Sequence, residues 1–108
     1  MSRKGRRHVP ATLGASGREL WRIVTAGFAL EPHHEIILKQ ACEALDRAEG
    51  ARARVEAEGL TTRDRFGIDR PHPLLATERD SRTAFLRALA ALGLDVEAVG
   101  AIGRPPGR

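Results

Sequence analysis

The longest regular pattern in the chain runs from Glu31 to Gly59 and predicts one long α-helix. Its apolar residues recur at steps of three and four, which places them on one face of a helix. They are Leu38, Ala41, Leu45, Ala48 and Val55, with Arg52 in the one polar position of the series. A rise of ~1.5 Å per residue makes this helix a rod of roughly 39 Å. So long a rod needs a partner helix, from this chain or from another copy.

Charged residues follow another face of the same helix at intervals of four. Glu35, Lys39, Glu43 and Arg47 alternate in sign, which is typical of a solvated face. The ends are also marked, because proline is favoured in the first turn and glycine after the last. Gly50 lies inside the pattern and costs about 1 kcal/mol relative to alanine, so we expect a bend there to be allowed.

Two shorter helical patterns flank the long one. The first runs from Ser16 to about Phe28, and Ser16 and Glu19 predict a capping box at its start. Trp21 lies at the edge of its apolar side, and we expect it to be a packing anchor rather than a base-stacking platform. The third helix begins near Leu74 or Leu75 and ends at Leu92. Its expected buried side comprises Leu75, Arg82, Phe85, Leu86, Leu89 and Leu92.

The predicted fold class is all-α, with a short N-terminal helix followed by a long antiparallel helical hairpin. Residues 1–15 have no periodicity and are expected to form a flexible basic arm. Residues 16–99 form the predicted helical oligomerisation and DNA-binding domain, and 100–108 a disordered tail. Residues 60–73 break the helical pattern and are predicted to be a loop or a short irregular hairpin. Gly93 followed by Leu94 predicts a Schellman end to the third helix.

Composition favours self-association of this chain. Only three phenylalanines and one tryptophan are present, and much of the apolar content is alanine, so an isolated chain buries a modest core. We therefore predict a homo-oligomer larger than a dimer. Its predicted contact residues are Leu38, Ala41, Leu45, Ala48, Val55, Phe85 and Leu89.

The net charge of +4 is spread unevenly. Basic residues dominate the first 22 positions, whereas acids outnumber bases in the long helix. A basic arm on a mildly acidic body favours contact with an anionic polymer, nucleic acid above all. A solvated arm that only aids solubility is the plainer alternative. The predicted DNA-binding residues are Arg3, Lys4, Arg6, Arg7, Arg18, Arg22, Arg63, Arg65 and Arg70.

Nothing in the sequence predicts catalysis, a cofactor or a metal site. No phosphate-binding glycine loop and no nucleophile elbow is present. His33 and His34 are adjacent and point about 100° apart on a helix, and Cys42 and His72 lie at no recognisable ligand spacing. No apolar run approaches the ~18 residues of a membrane span. The single cysteine fits a reducing cytoplasm.

Five short motifs follow the order and spacing of one family of tailed-phage proteins. They are Gly17-Arg18-Glu19-Leu20-Trp21, Cys42-Glu43, Gly59-Leu60, His72-Pro73 and Leu92-Gly93-Leu94. As a set over about residues 10–98, the chain resembles the terminase small subunits built on a long helical hairpin, the type found beside HNH nucleases in phage genomes. The resemblance implies rings that bind viral double-stranded DNA in the bacterial host cytoplasm. It further implies regulation or stimulation of the large terminase subunit, which holds the ATPase and nuclease.

Two other classes of protein stay open on the sequence. One is a small helix-turn-helix transcriptional regulator, for which the turn at residues 29–31 offers a superficial match. Its second helix would be far too long and net acidic for the usual recognition helix. The other is a helical interaction protein with no DNA role, which salt-dependent DNA binding would distinguish.

Overall fold

A computed structural model of the protein describes residues 8–94, and within them the chain forms three helices and one small sheet. The helices are α1 (Ala15–Gly27), α2 (Pro32–Glu58) and α3 (Leu74–Ala91). The strands are β1 (Thr61–Arg63) and β2 (Asp69–Pro71). The predicted helices are confirmed within about a residue at most ends, and α2 continues through Gly50 without interruption.

The partner that α2 needs is α3 of the same chain. The two helices form an antiparallel hairpin, and α1 packs across the first half of α2. Small residues, Ala44, Ala48 and Ala51 of α2 and Ser81 of α3, are buried along the hairpin. Their size lets the two backbones approach closely. Arg82 of α3 also reaches Glu49 of α2, with 3.0 Å between Nη2 and Oε2.

The core is centred where α1 meets α2. Leu20, Trp21 and Val24 of α1 pack with Leu38 and Cys42 of α2. The expected role of Trp21 as a packing anchor is confirmed, because its ring is buried and so cannot stack on a base. Leu13 also belongs to this core, and Val9 packs against it. From Val9 onward, therefore, the segment predicted to be a flexible arm is packed against the body.

The start of α1 is capped by a side chain from α2. The carboxylate of Asp46 accepts the backbone N–H groups of Gly14 and Gly17, both at 2.7 Å. The predicted capping box of Ser16 and Glu19 is wrong, since the N-cap is Gly14 and Glu19 instead contacts Arg22. Asp46 does from a distance what an N-cap side chain does locally, and its negative charge suits the positive end of the helix.

The end of α3 confirms the predicted Schellman motif. Leu94 N–H donates to the carbonyl of Leu89 and Gly93 N–H to that of Ala90, both at 2.9 Å. Gly93 adopts φ +75°, which a residue with a Cβ rarely adopts. The motif folds Leu94 back onto the core beside Leu92.

The prediction of a purely all-α fold is wrong at residues 60–73. β1 and β2 pair antiparallel, with Thr62 opposite Arg70, and two further backbone bonds extend the ladder at Leu60–His72 and Asp64–Ile68. The turn begins at Asp64 and ends at Gly67, which adopts φ +77°. These residues reverse the chain tightly, a feature that helical periodicity does not reveal. Of the two readings left open for this segment, the hairpin is the one observed.

Candidate nucleic-acid interface

The first group of predicted DNA-binding residues lies on α1. Arg18 and Arg22 are exposed and one helical turn apart. Arg18 Nε donates to the carbonyl oxygen of Leu13 at 2.8 Å, which fixes its guanidinium near the start of the helix. Arg22 forms an exposed ion pair with Glu19, with 3.4 Å between Nη1 and Oε1. An exposed ion pair of this kind contributes little to stability, so Arg22 can exchange Glu19 for a phosphate.

The second group lies on the β-hairpin. Arg63 contacts Asp69 at 3.5 Å and Arg70 contacts Asp64 at 3.1 Å. Arg65 lies over the ring of Phe66 instead, with its Cζ 5.0 Å from the centroid. Among the described residues, Arg65 is therefore the arginine of this hairpin without a carboxylate partner.

The two groups lie at different places along the rod. Asp46 contacts the start of α1, whereas the β-hairpin follows Glu58 at the end of α2. Twelve residues of helix separate these two points, which is about 18 Å. The structure therefore brings Arg63, Arg65 and Arg70 together in one hairpin and leaves Arg18 and Arg22 in a separate group. The remaining predicted contacts, Arg3, Lys4, Arg6 and Arg7, lie outside the described residues.

The residues predicted to join copies of the chain are used inside one chain. Five of the seven, Leu38, Ala41, Ala48, Val55 and Leu89, are buried in the protomer. Leu45 and Phe85 are half-buried against the same core. These seven side chains therefore contact the protomer's own core in this structure, and a role for them in joining copies stays a prediction.

Three residues that shape this surface are not among the site residues that the sequence predicts. Asp46 and Gly17 join α1 to α2, and Asp64 organises the β-hairpin turn. An Asp followed three residues later by Gly, between two segments of extended character, is a hairpin signal that the sequence does contain. No comparable local signal marks Asp46, because its partners are about thirty residues away.

A comparison with protein-family models assigns the chain to a family. The model described as "Phage terminase, small subunit" matches residues 17–107. The chain belongs to this family. No curated protein and no solved structure matches the chain.

The family match divides the basic residues of this terminase small subunit. Arg18, Arg22 and the whole β-hairpin lie inside the matched range, whereas the four basic residues of the N-terminal arm precede it. The match thus extends over the described site and over the tail beyond it. It also agrees with the resemblance drawn from the short motifs.

One histidine of the small subunit joins α2 to α3. His72 Nδ1 accepts the backbone N–H of Leu74 at 3.0 Å, so Nε2 carries the proton and donates to Glu58 at 2.7 Å. This hydrogen bond has the largest effect in lowering the pKa of Glu58, and a hydrogen bond from Arg54 has the next largest. His72 is buried and serves as a structural link at the base of the β-hairpin.

The other residues considered as metal ligands are dispersed. Within residues 8–94, no three His, Cys, Asp or Glu side chains converge as a metal site. The rings of His33 and His34 contact each other at a tilt of 46°, with centroids 4.1 Å apart. Burial, followed by the charges of Asp46 and Glu43, raises the pKa of the Cys42 thiol to about 12. In the same part of the terminase small subunit, no helix is long and apolar enough to cross a bilayer.

Proposed function

We propose that this chain binds viral double-stranded DNA as a homo-oligomeric ring during DNA packaging. In that role it regulates or stimulates the large terminase subunit and performs no catalysis itself. The observation that carries the proposal is the family match over residues 17–107. The exposed arginines of α1 and of the β-hairpin support the DNA contact. The proposed location is the cytoplasm of the bacterial host.

The DNA contact would be electrostatic in the first instance. The exposed arginines lie on a short helix and a narrow hairpin, and neither is the basic recognition helix that enters the major groove of DNA. α2, the one long helix after a short turn, is acidic overall. These features favour phosphate binding over base reading, and they argue against the helix-turn-helix regulator.

The ring is tested by the mass of the native assembly. The protomer pairs α2 with its own α3. The α2–α3 hairpin leaves a long outer surface available to a neighbouring copy. We expect native mass spectrometry and light scattering of the full chain to give a closed oligomer larger than a dimer. A stable monomer at micromolar concentration would refute the ring, whatever the DNA affinity.

The DNA surface is tested by a salt titration of fluorescence anisotropy. Each neutralised phosphate contributes about −0.9 to the slope of log affinity against log salt on duplex DNA. Deleting residues 1–7 should reduce the steepness of that slope by roughly two to four units if the arm charges touch phosphates. Changing Arg63, Arg65 and Arg70 together to Gln should reduce it by up to about three units.

A control for the removal of positive charge uses two exposed arginines of α3. Arg79→Gln with Arg87→Gln removes two positive charges away from both proposed groups, and we expect the slope to change by less than about one unit. If the arm deletion keeps the full slope while the hairpin variant loses it, the arm serves solubility and the hairpin holds the DNA. If neither variant changes the slope, neither the arm nor the β-hairpin contacts the DNA, and of the proposed groups only Arg18 and Arg22 of α1 are left.

A further inference from the structure

The tip of the β-hairpin exposes large apolar side chains beside arginines. Phe66 is 72% exposed and Ile68 51% exposed, and both lie at or next to the turn. Leu60 is also exposed, but it lies at the base of the hairpin. Among the described residues, these are three of the five large apolar side chains that remain exposed. Exposed apolar groups gathered in one place indicate a binding surface.

The turn that carries Phe66 is built by its own hydrogen bonds. Asp64 Oδ1 accepts the backbone N–H groups of Phe66 at 2.8 Å and of Ile68 at 3.0 Å. The other carboxylate oxygen accepts a hydrogen bond from Arg70. These bonds lower the pKa of Asp64, and the bond from the Ile68 backbone has the largest effect. Gly67 closes the turn by donating to the carbonyl of Asp64 at 3.0 Å. Phe66 is thus held outward by a fixed backbone.

The chemistry around the tip indicates what it contacts. The guanidinium of Arg65 lies over the Phe66 ring, and Arg63 and Arg70 lie on the two strands, paired with Asp69 and Asp64. A partner must accept a flat apolar ring with a guanidinium group against it and further arginines along the same hairpin. DNA does so at its minor groove, where proteins insert Phe or Ile between base pairs and place arginines along the groove.

The dimensions of the hairpin fit this contact. Three residues of strand extend about 10 Å, enough to reach the floor of a minor groove that is roughly 7.5 Å deep. Two strands lie about 4.8 Å apart, so the ribbon with its side chains is wider than the groove of about 6 Å. Entry therefore requires the groove to open, and a kink at the inserted base step opens it.

We propose that the β-hairpin is a minor-groove wedge, in which Phe66 unstacks a base step and bends the duplex. This inference rests on the proposed DNA binding and adds to it a deformation of the DNA. A ring that presents one such hairpin per copy would bend DNA at more than one point. Unstacking and bending cost least at flexible base steps such as TA. The wedge therefore prefers such steps, although it reads no base edge.

The experiment measures DNA bending and affinity separately. The full chain is titrated onto a duplex of about 30 base pairs with a central TA step and a fluorophore at each end. Energy transfer reports the bend, and anisotropy at the same salt reports affinity. Phe66→Ala should largely abolish the bend and weaken binding about tenfold or more, as expected for a lost stacking contact. It should leave the salt slope unchanged, because every arginine is retained.

Two further variants make the test specific. Leu60→Ala removes a similarly exposed apolar side chain at the base of the same hairpin, and it should bend DNA as the unchanged protein does. Asp64→Ala removes a negative charge, which by charge alone would strengthen binding. Because it also loosens the turn, the wedge predicts less bending even where affinity rises.

The outcomes separate this inference from the proposed function. Binding of the unchanged protein without bending, or equal bending by Phe66→Ala, would overturn the wedge and leave DNA binding intact. A smaller assembly mass for Phe66→Ala would also overturn it, since the tip would then contact another copy. Absence of any salt-dependent DNA binding by the unchanged protein would refute the proposed function and the wedge with it. Less bending by Phe66→Ala on a normal oligomer, with the slope retained, supports the wedge.

Discussion

Gly17→Ala is expected to lower the free energy of unfolding by about 3 kcal/mol. A Cβ at this position would lie 2.9 Å from the carbonyl oxygen of Cys42 and closer still to the Asp46 carboxylate. Either α1 moves away from α2 or Asp46 gives up its two backbone hydrogen bonds. Denaturant unfolding followed by circular dichroism measures the loss.

Gly50→Ala is the matched control for this change. Gly50 is also a helical glycine, but a Cβ there meets nothing within 4 Å. Alanine should therefore stabilise α2 by roughly 0.5–1 kcal/mol through helix propensity alone. If Gly17→Ala were as harmless as Gly50→Ala, the close approach of α1 to α2 would be wrong. In an Asp46→Ala background, Gly17→Ala should cost less, because one of the two obstructing groups is absent.

Leu89→Ala should cost about 2–5 kcal/mol, whereas Leu86→Ala should cost well under half as much. Both leucines belong to the apolar pattern of α3 and lie three residues apart. Leu89 is 1% exposed, and Leu86 is 49% exposed. Truncating Leu89 leaves a cavity between α2 and α3, while truncating Leu86 leaves a surface that water already touches. Equal losses in thermal and denaturant unfolding would contradict the packing described for α3.

The helices could be predicted because their signals are local. Pro32 at the start of α2, Gly93 after α3 and steps of three and four residues are all visible within a few positions. Leu86 was expected to be buried because its pattern fits a wide apolar face. Within the described residues α3 packs mainly on α2, so its buried stripe is narrower than the pattern, and Leu86 falls outside it.

The contacts between distant segments could not be predicted in this way. Ser16 and Glu19 form a plausible capping box, but the acceptor for the start of α1 is Asp46, on another helix. The β-hairpin has strands of only three residues, too short for an alternating pattern to stand out. The candidate arginines were visible as charges. Their division into an α1 group and a hairpin group depends on the fold.

Because of the Asp46 cap, α1 becomes stable after α2, although α1 is synthesised first. During synthesis α1 leaves the ribosome first, but the acceptor for its Gly17 N–H lies 29 residues later. An isolated helix of 13 residues is marginal in water, so α1 has little reason to persist alone. It becomes fixed only when α2 has formed and presents its carboxylate. The first helix along the chain therefore depends on the second in time as well as in space.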